Sequence, residues 1–539
     1  MRSPRPAAVT PLPVAVVARI AGADLPAGAD AVAVTGVSLD SRAVLPGDLY
    51  AALPGARAHG ADFVGAAVAS GACAVLTDPA GASRLGSVRL ESDRPDVADT
   101  GSDGAAHGIP VLVVDDPRAV LGQVAAEVYG HPADDLRLVG ITGTNGKTTT
   151  AYLVESGLRQ LGVRTGLLGT VETRIGDRRV ASARTTPEAT DLHAILAVMR
   201  EEGIEAVVME VSSHALAQHR VDGARYEVAV FTNLSQDHLD FHADMADYFT
   251  AKAALFTPTR AGRGVVCLDD EWGRRLADRA EIPLLTLATH EPADWTLLPG
   301  VWPAFTLAGP DGASLALHCH LPGTFNVLNT ATAALVLLEL GFPARDVEAA
   351  LAVEPVVPGR MELVPGGAQD PRCLVDYAHT PEAVDAALAA LRPTTPGRLV
   401  VVLGAGGDRD RGKRLAMGAA AARWADDLVV TDDNPRSEDP AAIRAELLAG
   451  ARSAQPPGGA GPGAGGRSLH TSTAGRAAHI ARAVALARAS GRPADNTVVV
   501  LGKGHETGQE IGGTVHPFDD RDALRAALAD RPYRPEDPT

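Results

Sequence analysis

The sequence has little cysteine and no long apolar run, and both absences narrow what the chain can be. Four cysteines occur among 539 residues, and no two of them form a Cys-x-x-Cys pair. This usage argues against a disulfide-stapled fold and favours a reducing compartment. No stretch reaches the roughly 20 apolar residues that a membrane-spanning helix needs. The N-terminus resembles a signal peptide only faintly, because Pro11 and Pro13 interrupt its apolar run and Arg19 ends it. We therefore expect a cytoplasmic protein.

The sequence also lacks an excess of positive charge. Lys and Arg together number 49 against 66 Asp and Glu, which gives a formal net charge of -17. A chain of this charge offers no general surface for nucleic acid or for an anionic membrane. Any phosphate ligand must therefore be held by a locally basic pocket.

The sequence does contain enough apolar material for several cores. Hydrophobic residues make up 46% and charged residues 21% of the chain, as in globular proteins generally, and the length suggests about three domains. Alternating strands and helices predict an α/β fold class. We expect a small N-terminal α/β domain over 1–116, a central P-loop-type mononucleotide-binding domain with a mainly parallel sheet over 117–354, and a C-terminal Rossmann-like α/β domain over 355–539. Segment 81–108 reads as a flexible insertion and segment 453–468 as a surface loop.

A glycine-rich turn lies between a predicted strand and a predicted helix of the central domain. Residues 138–141 are apolar, Gly143 and Gly146 predict a tight turn, and residues 151–154 continue as a helix. Such a turn lets backbone amides approach a phosphate, with Lys147 at the outer phosphates and the Thr148 hydroxyl on a magnesium ion. The strict phosphate-loop pattern requires glycine where Ile141 stands. A chance glycine-rich turn therefore stays open as the alternative.

Polar side chains follow two further predicted strands of the central domain. Glu210 lies at the carboxyl end of the strand over 206–211, and His238 lies in the loop after the strand over 228–232. The carboxyl ends of parallel strands meet at one edge of an open sheet, so Thr148, Glu210 and His238 are candidate ligands of Mg²⁺. Taken singly, Glu210 would be a solvated carboxylate and His238 a loop histidine. Their shared location favours the ligand role.

Four predicted strands of the C-terminal domain also run into polar loops. The cations in these loops can bind carboxylates, and they are Arg409, Arg411, Lys413 and Arg436. Asp433 and Glu506 can bind an ammonium group. Carboxylate-binding and ammonium-binding groups together describe an amino-acid site, whereas a set of solvated charged loops would be the preferred reading of any one loop alone.

A phosphate site combined with an amino-acid site indicates ATP-driven amide formation. A carboxylate is a poor electrophile, and its conversion to an acyl phosphate provides a leaving group that an amine can displace. Two other classes stay open, a kinase or nucleotide switch that makes no amide and a non-catalytic nucleotide-binding module. The first leaves the amino-acid loops unexplained, and the second would bind ATP without amine-dependent release of ADP.

Seven motifs, in order along the chain, resemble those of the Mur ligase family. They are TGTNGKTT (142–149), EVSSHAL (210–216), NLSQDHLD (233–240), FNVLN (325–329), PGRME (358–362), DYAHTP (376–381) and GKGHE (502–506). The resemblance covers nearly the whole chain and is greatest to the branch that adds the third residue of the peptidoglycan stem peptide. Another Mur ligase or a folylpolyglutamate synthase is the alternative within this class.

The resemblance implies that ATP phosphorylates the D-glutamyl γ-carboxylate of UDP-N-acetylmuramoyl-L-alanyl-D-glutamate and that an amine of diaminopimelate then attacks it. The residues that it assigns to the nucleotide are Gly143, Thr144, Asn145, Gly146, Lys147, Thr148, Thr149, Asn326, Asn329 and Arg360. The residues that it assigns to catalysis are Lys147, Glu210, His238 and Lys252.

The resemblance also implies that carbon dioxide carboxylates Lys252 and makes it an anionic Mg²⁺ ligand beside Thr148, Glu210 and His238. This modification requires a neutral amine, hence a lysine whose pKa is lowered by burial. Without the resemblance, a helix lysine at this position would be read as solvated.

Substrate contacts follow from the same resemblance. The N-terminal domain would bind the UDP-sugar peptide, and the residues matching its contacts are Leu39, Ser41, Thr185, Thr186, Ser212, Gln218 and Arg220. The C-terminal domain would bind diaminopimelate through Arg409, Asp433, Asn434, Pro435, Arg436, Gly502 and Glu506. The run 433–436 matches the version that selects diaminopimelate over lysine, because Arg436 can pair with the additional carboxylate. We expect a monomer with no nucleic-acid or membrane partner.

Overall fold

The computed structural model describes residues 3–55, 57–88, 105–106, 108–182, 184–290, 292–300, 302–454 and 468–534. Within these ranges the chain forms three main sheets, one in each predicted domain, and helices cover them. The predicted α/β fold class is therefore confirmed. No helix in these ranges is long and apolar enough to cross a membrane.

The N-terminal sheet is small and nearly all parallel. Its strands run in the order β3-β4-β5-β7-β6, only β6 pairs antiparallel, and β1 and β2 form a separate antiparallel pair. The strands are β1 (Leu12–Pro13), β2 (Ala33–Val34), β3 (Gly36–Ser38), β4 (Asp48–Ala52), β5 (Ala74–Thr77), β6 (Ala105–Ala106) and β7 (Ile109–Val113). The helices are α1 (Val14–Ala21), α2 (Val64–Ala69), α3 (Pro79–Val88) and α4 (Pro117–Val128). The apolar face of α4 packs in the core of this sheet, with Leu121 and Val124 buried there, although the predicted boundary assigns α4 to the central domain.

The central sheet has a parallel middle and antiparallel edges. Among the described residues its strand order is β11-β10-β9-β12-β8-β13-β14-β15-β16-β17-β18, and the strands from β9 to β16 in this order are parallel. The strands are β8 (Arg137–Thr142), β9 (Thr165–Leu168), β10 (Glu172–Ile175), β11 (Arg178–Ala181), β12 (Ala206–Glu210), β13 (Tyr226–Phe231), β14 (Ala261–Cys267), β15 (Leu284–Ala288), β16 (Trp295–Leu298), β17 (Ala304–Ala308) and β18 (Ser314–His318).

Helices cover both faces of the central sheet and divide its apolar residues into two cores. They are α5 (Lys147–Gln160), α6 (Ala189–Glu201), α7 (Ser213–Ala217), α8 (Met245–Ala253), α9 (Glu271–Ala277), α10 (Thr324–Glu339) and α11 (Ala344–Leu351). Burial on both faces explains why β8, β12 and β13 are nearly continuous apolar runs. The predicted strands at these positions are confirmed.

The C-terminal sheet repeats this plan with the order β19-β20-β24-β21-β22-β23, in which only β19 is antiparallel. Its strands are β19 (Glu362–Val364), β20 (Arg372–Asp376), β21 (Leu399–Leu403), β22 (Asp427–Val430), β23 (Ser468–His470) and β24 (Thr497–Leu501), and β25 (Gly508–Ile511) pairs with β26 (Thr514–Pro517) as a hairpin. The helices are α12 (Pro381–Leu391), α13 (Lys413–Trp424), α14 (Pro440–Ser453), α15 (Arg476–Arg488) and α16 (Asp520–Leu528).

The two predicted insertions have different outcomes. Segment 81–108 was predicted to be flexible throughout, and this is wrong for its first part, which is helical in α3. The reason is Leu85, which anchors that helix in an apolar cluster. Residues 89–104 and 107 of the first segment, and residues 455–467 of the second, lie outside the described residues.

Candidate active site

The loop between β8 and α5 has the backbone geometry of a phosphate site. Gly143 and Gly146 have φ values of 142° and 87°, which side chains other than glycine rarely adopt. A Cβ at Gly143 would collide with Thr232 Oγ1, and one at Gly146 would lie 2.5 Å from Asn329 Oδ1. The α5 helix starts directly after the loop at Lys147, and a helix N-terminus attracts phosphate. The predicted turn is therefore present at the predicted residues.

Two lysines converge on one carbonyl oxygen of this loop. Lys147 Nζ donates to Gly143 O at 2.9 Å and to Thr144 O at 2.8 Å. Lys252 Nζ, from α8, donates to the same Gly143 O at 2.7 Å. Lys252 is 1% exposed, and burial, together with the charge of Lys147, holds its pKa well below the usual range. Burial also lowers the pKa of Lys147. A neutral Lys252 amine is the form that accepts carbon dioxide.

Glu210 lies beside the loop because β12 pairs with β8, which places Glu210 opposite Ile141. The Thr148 hydroxyl donates to Glu210 Oε2 at 2.9 Å, and the Thr170 amide donates to Oε1 at 2.8 Å. Thr148 in turn accepts a hydrogen bond of 2.9 Å from Arg360 Nη2. The carboxylate is 1% exposed, so a phosphate loop residue, a buried acid and a C-terminal arginine form one connected group.

A magnesium ion fits this group by the chemistry of its donors. In the part of the chain that the structure describes, no three His, Cys, Asp or Glu side chains form a metal-binding cluster. Mg²⁺, however, is usually held by one or two carboxylates together with phosphate oxygens and water. The Thr148 hydroxyl and the Glu210 carboxylate are oxygen donors in contact with each other. His238 lines the same cavity, and burial lowers its pKa to about 4, which keeps its ring neutral and able to bind a metal.

Asp237 lies close to histidine and lysine side chains of the central and C-terminal domains. His238 N donates to Asp237 Oδ1 at 3.0 Å. From the C-terminal domain, His379 Nε2 lies 4.0 Å from Asp237 Oδ2, and Lys413 Nζ lies 3.7 Å from Oδ1. Burial would raise the pKa of Asp237, but the neighbouring His238, His379 and Lys413 side chains and the hydrogen bond from the His238 amide outweigh it and lower the pKa to about 2. Lys413, which the sequence assigned to the amino-acid loops, thus reaches the central domain.

One cavity of about 520 Å³ contains these groups and opens between the central and C-terminal domains. The predicted residues that line it are Thr144, Asn145, Gly146, Lys147, Thr148, Thr149, Thr185, Glu210, Ser212, His238, Lys252, Asn326, Asn329 and Arg360. Asn329 Nδ2 donates to Asn326 Oδ1 at 3.1 Å, and the Arg360 guanidinium lies 4.5 Å from the Tyr377 ring centroid. We call this space the central cavity.

A second cavity of about 1090 Å³ lies between the N-terminal domain and the β10–β11 edge of the central sheet. Leu39 and Ser41, two predicted contacts of the UDP-sugar peptide, line it. Gln218 and Arg220 are not among its lining residues. Arg220 is paired with Glu188 Oε1 at 3.1 Å. Glu188 lines the cavity and is also paired with Arg118 and Arg184. Thr186 is buried and donates to Glu210 O at 2.9 Å.

The predicted amino-acid loops meet at the carboxyl edge of the C-terminal sheet. Asn434 Nδ2 donates to Glu506 Oε2 at 2.8 Å, and Lys503 Nζ donates to the same oxygen at 2.9 Å. Gly502 has a φ of 114°, and a Cβ there would collide with Asp433 Oδ2. The structure therefore brings Asp433, Asn434, Gly502 and Glu506 together.

The predicted arginines of this region have different surroundings. Arg436 Nη1 donates to Gly407 O at 2.7 Å, and Arg436 Nε lies 3.2 Å from Glu510 Oε2. Pro435 is buried beside it, whereas Arg409 is exposed. Arg411 is paired with Glu438 at 2.8 Å. An incoming carboxylate at Arg436 would thus compete with Glu510 of this chain.

Several residues of the site were not assigned a role from the sequence. Asp237 lies in the motif over 233–240 and Lys503 in the motif over 502–506. In each motif the sequence assigned the functional role to a neighbouring residue instead. The signal for Lys503 was a lysine between two glycines directly after an apolar strand. Thr170 and Arg476 had no local signal, because their contacts are with residues distant in sequence.

Family models match the chain in three consecutive segments. The Mur ligase family catalytic domain matches residues 33–129, the Mur ligase middle domain residues 141–337, and the Mur ligase glutamate ligase domain residues 359–504. The UDP-N-acetylmuramoyl-L-alanyl-D-glutamate--2,6-diaminopimelate ligase of Streptomyces avermitilis is 53% identical over 531 residues, which cover 97% of this chain and 98% of the relative. The enzyme of the same name from Streptomyces coelicolor is 52% identical with the same coverage.

Solved structures give the same picture of the fold. A structure of UDP-N-acetylmuramoyl-L-alanyl-D-glutamate--2,6-diaminopimelate ligase aligns with a TM-score of 0.62 at 29% identity, covering 95% of this chain and 98% of that one. Folylpolyglutamate synthase of Mycobacterium tuberculosis, complexed with ADP, aligns with a TM-score of 0.58 at 19% identity, covering 72% of this chain and 92% of that one. The second likeness is one of fold alone.

Proposed function

Because the chain belongs to the Mur ligase family, we propose that it is an ATP-dependent ligase that adds 2,6-diaminopimelate to UDP-N-acetylmuramoyl-L-alanyl-D-glutamate. This is a step in peptidoglycan precursor synthesis. The observation that carries the proposal is the central cavity, in which the phosphate loop of one domain faces Arg360, Tyr377 and His379 of the next. The relatives that carry this name in full cover nearly the whole chain.

In the proposed reaction, ATP first activates the acid. The loop 143–149 and the start of α5 hold the phosphates, and Asn326 and Asn329, which lie next to that loop, hold the nucleotide. Arg360 adds a positive charge next to Thr148. An oxygen of the D-glutamyl γ-carboxylate attacks the terminal phosphorus, ADP leaves, and an acyl phosphate forms. An amine of diaminopimelate then attacks the acyl carbon, and inorganic phosphate leaves.

Mg²⁺ would be held by Thr148, Glu210 and His238, and it would neutralise charge on the transferring phosphoryl oxygens. We propose that carboxylated Lys252 joins these residues as an anionic ligand. Three observations support this proposal: the burial of Lys252, its lowered pKa, and its approach to the same carbonyl oxygen as Lys147. Burial and the charge of Lys147 both disfavour an ammonium group at Lys252, so they favour the neutral amine that carboxylation requires.

The substrates would enter from opposite sides of the central cavity. Leu39 and Ser41 would contact the UDP-sugar peptide in the N-terminal cavity, and Thr185, Thr186 and Ser212 would contact its peptide end. Gln218 and Arg220 would contact the UDP-sugar peptide at the edge of its binding site. Diaminopimelate would bind at Arg409, Asp433, Asn434, Pro435, Arg436, Gly502 and Glu506. A cytoplasmic monomer is the proposed working form, and four free cysteines agree with a reducing compartment.

The test is an ADP-release assay with the muramoyl dipeptide and a panel of diamino acids, coupled to product mass spectrometry. We expect ADP release only when ATP, Mg²⁺, the dipeptide and diaminopimelate are all present, with a tripeptide as the product. ADP release that does not depend on an amine would favour a nucleotide switch. Equal activity with lysine would overturn the assigned amino acid.

A further inference from the structure

Arg476 is a fully buried arginine at the N-terminus of a helix, a position where a positive charge is unfavourable. It is the first residue of α15, and its side chain is 0% exposed, as is that of its partner Asp520. A cation at a helix N-terminus is disfavoured by the helix dipole. Burial of an ion pair also costs desolvation energy, so that an apolar pair of similar volume is often equally stable. The pair therefore needs a reason other than stability.

The hydrogen bonds of Arg476 supply that reason. Nε and Nη2 donate to the two carboxylate oxygens of Asp520, each at 2.7 Å. Nη1 donates to Asp432 O at 3.1 Å, and Nη2 also donates to Leu501 O at 3.0 Å. Asp432 directly precedes Asp433, and Leu501 directly precedes Gly502. One guanidinium thus holds the backbone at the start of both predicted amino-acid loops.

These two loops are not neighbours in the sheet, since β21 lies between β22 and β24. Arg476 bridges the gap under the end of β21, where a Cβ at Gly404 would lie 3.0 Å from Nη1. A guanidinium has five N–H donors, and four hydrogen bonds use four of them. Nη1 lies 4.0 Å from Asp433 Oδ2. The positive charge of Arg476 therefore also attracts the Asp433 carboxylate, which we assign to binding of the amino-acid substrate.

We propose that Arg476, oriented by Asp520, is a positioning residue that sets the spacing of the Asp433 loop and the Gly502–Glu506 loop, and thereby the affinity for the amino-acid substrate. This inference rests on the proposed function, since it takes the amine-bearing substrate to bind between those loops. Arg476 touches neither the nucleotide loop nor the N-terminal cavity among the described contacts. Its effect is therefore confined to one of the three substrates.

The experiment compares Arg476→Lys with a matched control, Arg392→Lys. Arg392 has the same chemistry at the opposite edge of the same sheet, because it donates to Asp426 Oδ2 at 2.8 Å and to the carbonyls of Thr395 and Gly397. For Arg476→Lys we expect KM for diaminopimelate to rise about tenfold or more, the loss typical of a removed charge-assisted hydrogen bond. KM for ATP and for the muramoyl dipeptide should stay unchanged. The control should leave all three KM values unchanged.

A double-mutant cycle separates positioning from a general loss of stability. In the Asp433→Asn background, Arg476→Lys should raise KM for diaminopimelate less than in the wild type, because the two residues act as a unit. Should Arg476→Lys not fold, Asp520→Glu is tested in its place. The longer side chain should push the guanidinium toward the loops, so we expect the same selective rise in KM for diaminopimelate. The inference is overturned if KM for diaminopimelate stays at the wild-type value, or if Arg392→Lys raises it equally. A wild-type protein that makes no tripeptide would instead contradict the proposed function.

Discussion

The phosphate loop of the central domain and the amino-acid loops of the C-terminal domain both lie at the carboxyl edge of a parallel sheet, but they are held in place differently. The phosphate loop is set by contiguous residues, with glycines at φ values of 142° and 87° and a helix that starts at Lys147. The amino-acid loops come from separate strands, and buried cations join them. Lys503 links Asn434 with Glu506, and Arg476 links Asp432 with Leu501.

This difference corresponds to what each site binds. Phosphate groups are common to every reaction of a nucleotide-driven ligase, and a backbone cradle recognises them without side-chain specificity. An amino acid is recognised by side chains at defined distances, so the loops that carry them need a fixed spacing. We expect changes on the nucleotide side to affect turnover or the KM for ATP, and changes on the amino-acid side to affect the KM for diaminopimelate and the selectivity between amino acids.

The largest expected effect is that of Lys252→Arg. Arginine stays charged and cannot be carboxylated, so it can replace neither the neutral amine nor the anion. We expect kcat to fall about a hundredfold or more, the size of effect seen when a transition-state charge contact is removed. NMR in ¹³C-labelled bicarbonate should detect a carbamate in the wild type and none in the variant.

The matched variant on the amino-acid side is Lys503→Arg. Lys503 forms an ion pair with Glu506 at 2.9 Å and also donates to Asn434 Oδ1. Its replacement should raise KM for diaminopimelate and leave the carbamate signal intact. A Lys252→Arg enzyme with wild-type kcat would remove the distinction between the two lysines.

The next largest expected effect is on the selectivity for diaminopimelate over lysine. Arg436→Ala removes the cation that we assign to the additional carboxylate of diaminopimelate. The ratio of kcat/KM for diaminopimelate over lysine should fall about tenfold to a hundredfold, as expected for one charged hydrogen-bonding partner. Competition assays with both amino acids measure this ratio directly. A variant that still prefers diaminopimelate as strongly as the wild type would show that selection lies elsewhere.

The sequence was a better guide to the nucleotide side than to the amino-acid side, and the reason is physical. The strand, turn and helix around Gly143 and Lys147 are local, so apolar periodicity and glycine placement were sufficient to predict them. Four strands of the central sheet (β8, β12, β13 and β14) and four of the C-terminal sheet (β20, β21, β22 and β24) were predicted for the same reason, since burial on both faces makes them nearly continuous apolar runs. Helix α3 was missed because its small residues resemble a loop, although Leu85 anchors it in an apolar cluster.

Contacts between distant segments could not be predicted. Arg476 and Asp520 are 44 positions apart, and nothing in either local stretch indicates that they meet. The same holds for His379 and Lys413, which approach Asp237 only because the two domains close on one cavity. The resemblance to the Mur ligases identified residues at the site, while their partners depended on the tertiary structure.

Two glycine variants compare the nucleotide side and the amino-acid side directly. We expect their effects to be smaller than those of the charge-changing variants. Gly146→Ala would place a Cβ 2.5 Å from Asn329 Oδ1, and Gly502→Ala would place one against Asp433 Oδ2. Strain at a left-handed backbone position costs about 1–3 kcal/mol, so we expect rises in KM of about tenfold. The first variant should raise KM for ATP alone and the second KM for diaminopimelate alone. A rise in both constants for either variant would contradict the separation of the two sites.

The smallest expected effect is on the pH dependence of stability. Burial lowers the pKa of His238 to about 4 on the nucleotide side and that of His505 to about 3 on the amino-acid side, from an ordinary value of 6.5. Below pH 6.5 the unfolded chain therefore binds protons that the folded protein does not, so stability falls as the pH is lowered. Urea unfolding at a series of pH values should show a weaker pH dependence for His238→Gln and His505→Gln. For His505→Gln the difference from the wild type should extend to a lower pH.

In the proposed reaction, the nucleotide side activates the D-glutamyl γ-carboxylate, and the amino-acid side supplies the amine that attacks it. The most direct test of this reaction uses muramoyl dipeptide labelled with ¹⁸O in the D-glutamyl γ-carboxylate, with ATP, Mg²⁺ and diaminopimelate. Mass spectrometry of the released inorganic phosphate reads out the path of the oxygen. We expect one labelled oxygen in the phosphate for each amide formed, because the carboxylate oxygen leaves with the phosphoryl group. Tripeptide formed together with unlabelled phosphate would contradict it.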